Sequence, residues 1–130
     1  MCLNQHSASS LLEHGPARAQ RFGLRDHFEP LSVQVAPLDD YASEAVGDLL
    51  IKVDVEGFEA AVLEGAPMLL EHAAAVVVEC QQAADVFVGA PPPSRVDELL
   101  RERGLRFAGV LAALTDPSGA VVQFDGVWLR

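Results

Sequence analysis

Apolar and polar positions alternate in Leu31-Ser32-Val33-Gln34-Val35, the pattern of a strand with one covered face, and Pro37 closes it. Leu38-Asp39-Asp40-Tyr41 then reads as a helix start, with Asp39 or Asp40 at the N-cap and a stop by Gly47. Leu49-Leu50-Ile51-Lys52-Val53 is nearly continuous apolar chain, as expected of a parallel strand with helices over both faces. Beyond Asp54-Val55-Glu56-Gly57, the residues Phe58, Ala61, Val62, Gly65 and Ala66 recur at helical spacing, with Glu59 and Glu64 largely outside the stripe. Gly65 predicts a stop, and Pro67 predicts a second short helix that buries Met68, Leu69 and Leu70. Ala74 to Glu79 is another apolar strand, so two strands flank a helical crossover.

After the stiff Ala90-Pro91-Pro92-Pro93 loop, Ser94 is a candidate cap, with Asp97 three residues on. Val96, Leu99 and Leu100 give that helix a buried side, and Gly104 ends it. Leu105 to Leu111 and Ala120 to Leu129 read as hairpin strands around Thr115-Asp116-Pro117-Ser118-Gly119, with Gly126 at a bulge. The order predicts an α/β layered fold: a mostly parallel sheet closed by a C-terminal antiparallel hairpin, in a single domain over residues 1–130. Residues 1–30 have no sustained period and read as irregular.

Charge and cysteine content narrow the function. Nine basic residues against 19 acidic ones leave a net charge of -10, which disfavours nucleic acid and anionic membrane surfaces. The longest strictly apolar run, Ala73 to Val78, is far too short to cross a bilayer, and residues 1–20 lack a signal-peptide apolar segment. Cys2 and Cys80 form no disulfide framework and no metal-ligand spacing, so the reducing cytoplasm is the expected compartment. His6, His14, His27 and His72 are scattered, and Ser9 and Ser10 lie in no nucleophile elbow. Cys80 reads as a buried inert thiol, and Arg18, Arg21 and Arg25 as a solvated charge run.

The remaining chemistry is acidic. In open α/β sheets ligands collect beyond the carboxyl ends of strands, and two strands here finish in acids. If those strands are neighbours, Asp54, Glu56 and Glu79 converge on one rim and raise one another's pKa, which suits a general base or a cation site. Plainer roles stand beside these. Asp54 is also a candidate helix cap, Glu56 and Glu59 favour a helix dipole, and Gly57 permits close packing. Glu79 ends an apolar run, so it needs a partner, structural or bound. Lys52 either pairs with an acid or reaches past the edge to solvent. No two glycines are separated by a single residue, so the chain has no glycine-rich nucleoside-binding turn.

Ile51-Lys52-Val53-Asp54-Val55-Glu56-Gly57-Phe58-Glu59, Val62-Leu63-Glu64-Gly65-Ala66, Leu69-Leu70 and Val76-Val77-Val78-Glu79 together resemble the FkbM-type methyltransferases, whose pattern is I-K-x-D-x-E-G-x-E, then V-L-x-G-A, two leucines and a strand closing in Glu. Ser9-Ser10-Leu11 and Pro37-Leu38-Asp39-Asp40 resemble that family's S-S-L and L-D-D segments. The resemblance covers residues 9 to 80. It implies a Rossmann-like, class I methyltransferase-like sheet and S-adenosylmethionine-dependent O-methylation of a small-molecule hydroxyl acceptor. In that alignment Ile51 to Asp54 is the fourth strand, Glu79 ends the fifth, and the sheet closes with a reversed strand. The family's glycine-rich cofactor segment and ribose-binding acid are missing from these residues, so the expectation is the C-terminal half of such a domain, truncated or split. On this basis Asp54 and Glu56 are the expected catalytic pair, Glu79 and Lys52 the acceptor-binding residues, no metal ligand is expected, and the cofactor-binding residues remain unassigned. The Leu49 to Val53 strand would then be an open edge, free to self-associate or to meet a complementing N-terminal half. Two rivals follow: a non-catalytic α/β interaction module acting through that edge, and a metal-assisted hydrolase built on Asp54, Glu56 and Glu79.

Overall fold

A computed structural model describes residues 9–16, 31–83 and 86–130. A 3-10 helix, Leu38–Glu44, precedes β1 (Leu49–Val53), α1 (Glu59–Glu64), α2 (Pro67–His72), β2 (Ala73–Gln81), α3 (Pro93–Glu102), β3 (Arg106–Thr115) and β4 (Val121–Leu129). The sheet order is β1-β2-β4-β3. β1 and β2 are parallel neighbours, with Ile51 beside Val76 and Val53 beside Val78. β4 runs antiparallel to both β2 and β3. Three strands therefore share a direction, yet only one of the three pairings is parallel, and the expected mostly parallel sheet is corrected to a mixed one. The cause is the β3–β4 turn. The Asp116 carboxylate accepts from the backbone N–H of Ser118 (2.8 Å) and Ala120 (3.1 Å), and Gly119 supplies a φ of +87°. The chain doubles back there, and β4 slots in beside β2.

Side chains alternate across the sheet, so Ile51, Val53, Val76, Val78, Cys80 and Trp128 share one face. Leu63, Leu70, Val96 and Leu100 pack on that face from the helices. The other face of β1 is uncovered among the described residues: Leu50 is 63% exposed and Lys52 is exposed as well. This corrects the expected two-sided burial. Leu50 belongs to the apolar run yet faces outward, and no helix among the described residues covers it.

Other local expectations shift for identifiable reasons. Residues 31–37 form no strand, and Leu31, Val33 and Val35 are exposed; alternation fits a pleated surface but cannot supply a neighbour for the backbone. Asp39 does not cap its own helix. It accepts from the N–H groups of Met68 (2.8 Å) and Leu69 (3.0 Å), so it caps α2 from 29 residues away. Met68 is exposed at the start of α2, whereas Leu69 and Leu70 are buried. Pro92, without a side-chain bond, takes the cap of α3 in place of Ser94, and Asp97 instead accepts from Trp128 Nε1 at 2.9 Å. Gly126 is no bulge. The extra residue there, Leu111, is on β3, and a Cβ at Gly126 would stand 2.6 Å from the Trp128 ring, so glycine is there to let the indole lie flat across the strand.

Candidate functional site: a carboxylate rim beyond β1 and β2

β1 delivers the chain into a strained turn. Glu56 has a φ of +53° and Gly57 of +97°, two successive residues in the left-handed region. For Glu56 that costs roughly 1–2 kcal/mol, so its surroundings must hold it. Glu59 does part of this: its Oε1 accepts from Gly57 N (2.9 Å) and more loosely from Val55 N (3.4 Å). Glu59 is only 4% exposed, and burial raises its pKa while those backbone bonds oppose the rise. It is the buried acid of this segment, contrary to its expected place off the buried stripe. Ser10 does the rest, donating from Oγ to the Glu56 carbonyl at 2.6 Å while accepting from Leu12 N at 3.0 Å.

Two short segments clasp the same turn. Gly15 N donates to Val86 O (2.7 Å) and Val88 N to Glu13 O (2.8 Å), and His14 and Phe87 meet edge-on with centroids 5.7 Å apart. A Cβ on Gly57 would stand 3.1 Å from Phe87 and 3.2 Å from Leu12, so this glycine serves both its φ and a close approach. Asp54 does not cap α1, where Phe58 stands at the N-cap without a side-chain bond. Instead Asp54 pairs with Lys52 at 2.8 Å, an exposed contact that raises the lysine pKa through its hydrogen bond. Lys52 thus takes the acid-pairing role, one of the two open to it.

β2 and β4 supply the other half. Glu79 stands opposite Asp125 and Gln81 opposite Gln123, four polar residues on the face away from the helices. Gln123 Nε2 donates to Glu79 Oε1 in a very short bond. Glu79 Oε2 is buried with no partner. Gln81 is 6% exposed, and neither its Nε2 nor its Oε1 has a partner. Desolvation, reinforced by the charges of Asp54 and Glu56, pushes the Glu79 pKa up to about 7; Asp125 adds to the rise and the Gln123 bond opposes it. Asp54 and Glu56 therefore act on Glu79 across the strand ends. Cys80 points to the opposite face, where burial drives its thiol up to about 12, too high for a nucleophile at neutral pH.

Among the described residues no group of three His, Cys, Asp or Glu is placed to hold a metal ion. His72 is exposed and lies apart from the rim. His6, His27, Cys2, Arg18, Arg21 and Arg25 lie outside the described residues. Sequence reasoning missed Ser10 as a tether, Glu59 as the buried acid, and Gln81, Gln123 and Asp125 as rim residues. A signal for Glu59 was present: an acid two residues beyond a glycine at a helix start is placed to reach back to free N–H groups. The strand was expected to end at Glu79, which left Gln81 out, and Gln123 and Asp125 join the rim only through the β2–β4 register.

S-adenosylmethionine does not fit these residues as a complete site. No glycine-rich turn follows a described strand, and one lysine stands among four carboxylates. The rim is suited to uncharged or cationic groups and gives no cradle for a nucleoside. No helix among the described residues is long and apolar enough to cross a membrane.

Neither a curated protein nor a solved structure matches the sequence. A family match exists, to the Methyltransferase FkbM domain, over residues 3–107. That span takes in β1, the strained turn, both acid-tipped strand ends and α3, and on this evidence the chain belongs to the FkbM methyltransferase family.

Proposed function

We propose that this chain forms the acceptor side of an S-adenosylmethionine-dependent O-methyltransferase, with Glu79 as the group that takes the proton of a bound hydroxyl. The observation that carries the reading is Glu79 itself: a half-buried carboxyl with one oxygen unpartnered and a pKa of about 7, at the carboxyl end of a central strand. Asp54 has a weaker claim to that proton, because it is exposed and engaged by Lys52. Asp54 and Glu56 act on the same acceptor by holding the proton affinity of Glu79 near neutrality, and Lys52 keeps Asp54 in place. The donor is gripped by residues other than these. A buried, free Cys80 suits the cytoplasm as the compartment.

The test is formation of S-adenosylhomocysteine with small hydroxylated acceptors, using the chain alone and mixed with a polypeptide that supplies a glycine-rich donor segment. The rate should rise through pH 7, and Glu79→Gln should lower it at least 100-fold and flatten the profile, within the usual range for a general base. Full activity in Glu79→Gln would end this assignment.

A second reading has one observation in its favour. β1 is an edge strand with Leu50 exposed on its open face, which fits a module that pairs with another copy or with a complementing N-terminal half. Light scattering on the parent and on Leu50→Lys separates the two: a dimer abolished by the substitution supports the module, and a monomeric parent removes self-pairing.

A further inference from the structure

Among the described residues, Gln123 is the one side chain hydrogen-bonded to the Glu79 carboxyl, donating from Nε2 to Oε1. It reaches there on a diagonal. In the β2–β4 register Glu79 stands opposite Asp125 and Gln123 opposite Gln81, so the amide crosses one row to find its acceptor. Diagonal neighbours across a strand pair lie roughly 7–8 Å apart, within reach of a long side chain. The choice of acceptor has a physical reason, since a bond to a carboxylate is roughly twice as strong as one between two neutral amides.

The bond does two things to Glu79. It occupies Oε1, so Oε2 is the oxygen left to carry a proton. It also favours the ionised carboxylate, against desolvation and the charges of Asp54, Glu56 and Asp125, all of which favour the neutral acid. Lys52 feels the same carboxyl but is paired with Asp54, and Cys80 lies on the opposite face. β4 therefore sets two groups of opposite effect, Gln123 and Asp125, against one carboxyl of β2. β4 also lies outside the residues matched to the family.

Resting on the reading of Glu79 as the general base, we propose that Gln123 is its positioning residue. The β3–β4 hairpin, beyond closing the sheet, supplies the amide that orients the Glu79 carboxylate and keeps it ionised to take the proton of the acceptor hydroxyl.

The experiment follows the Glu79 side-chain carboxyl directly, by carbon-13 NMR of the full chain from pH 5.5 to 9.5, with no methyl donor. Gln123→Met and Gln123→Leu remove the donor at similar size and should raise the Glu79 midpoint by about one pH unit. Gln123→Arg keeps N–H donors and adds a positive charge, so its midpoint should fall below the parent's. The sign separates positioning from packing. If Gln123 only fills space, the donorless variants admit water and the midpoint drifts down towards the ordinary 4.5. A midpoint that falls or stays in the donorless variants overturns the proposal, and so does one in Gln123→Arg at or above the parent's. In the S-adenosylhomocysteine assay the rise of rate with pH should move up with the titration, lowering the rate at pH 7 by about 5-fold in the donorless variants. Titrations that move as stated, beside an activity indifferent to Glu79→Gln, sink the general-base reading alone. An activity that depends on Glu79, with a pH profile unmoved in both donorless variants, sinks this inference alone.

Discussion

Glu79→Gln is the substitution that most directly tests the electrostatics of the rim. Glutamine keeps the shape and still accepts from Gln123, so the packing is preserved while the titration disappears. The folded-state pKa of Glu79 is about 7 against an ordinary 4.5. Below 4.5 the folded and unfolded chains both hold the proton and Glu79 costs nothing. Between the two values the unfolded chain releases the proton while the folded chain keeps it, so stability falls as pH rises. Above 7 both states are ionised and the whole penalty is present. At 1.36 kcal/mol per pH unit the full window is worth about 3 kcal/mol, and somewhat more than half of it lies between pH 5.5 and 8. Glu79 is only half-buried, so solvent screening reduces that portion to about 1 kcal/mol.

The assay is urea unfolding of both proteins from pH 5.5 to 8, kept above the sequence pI of about 4.6, where a vanishing net charge promotes association. Glu59 also has a raised pKa, and the charge of -10 adds its own pH dependence, but both are common to the two proteins and cancel in the difference. Glu79→Gln should gain on the parent as pH rises, reaching a midpoint about 0.5–1 M urea higher at pH 8 than the pH 5.5 difference implies. A difference that is constant across the range would show that Glu79 titrates normally, and the general-base assignment would lose its support.

Three further substitutions probe the scaffold beneath the rim. Glu59→Ala strips the acceptor from the Gly57 and Val55 N–H groups and should cost about 2–3 kcal/mol in urea unfolding, loosening the turn that carries Glu56. Gly126→Ala drives a Cβ into the indole of Trp128 and should cost about 2–3 kcal/mol, with a shift in the emission of the one tryptophan as its bond to Asp97 is disturbed. Asp39→Ala removes the remote cap of α2 and should cost about 1 kcal/mol, whereas Asp40→Ala should change little.

Much of the fold was legible because local signals and tertiary packing agree. Gly65, Pro67 and Gly104 punctuate the helices where expected, and the Val76 to Val78 run lies in the core. The failures share a physical origin. Leu31 to Val35 alternates as well as any real strand, but a strand exists only where a second backbone accepts its bonds. Asp39 was read as a cap of its own helix and Asp97 as the capping-box partner of Ser94, yet their carboxylates serve groups 29 and 31 residues distant. A short acidic side chain satisfies whichever N–H the fold presents, and spacing along the chain cannot rank those choices.

The site divides along the same line. Asp54, Glu56 and Glu79 were visible because each interrupts or ends an apolar run, and the influence of the first two on Glu79 needed only that β1 and β2 be neighbours. The partner deficit on Glu79 and Gln81 was not visible. That deficit arises because β4 enters between β2 and β3, setting Gln123 against Gln81 and Asp125 against Glu79, so that the amide opposite Gln81 is drawn to the carboxylate instead. A buried amide and a carboxylate left short by one competitor are costly to the free protein.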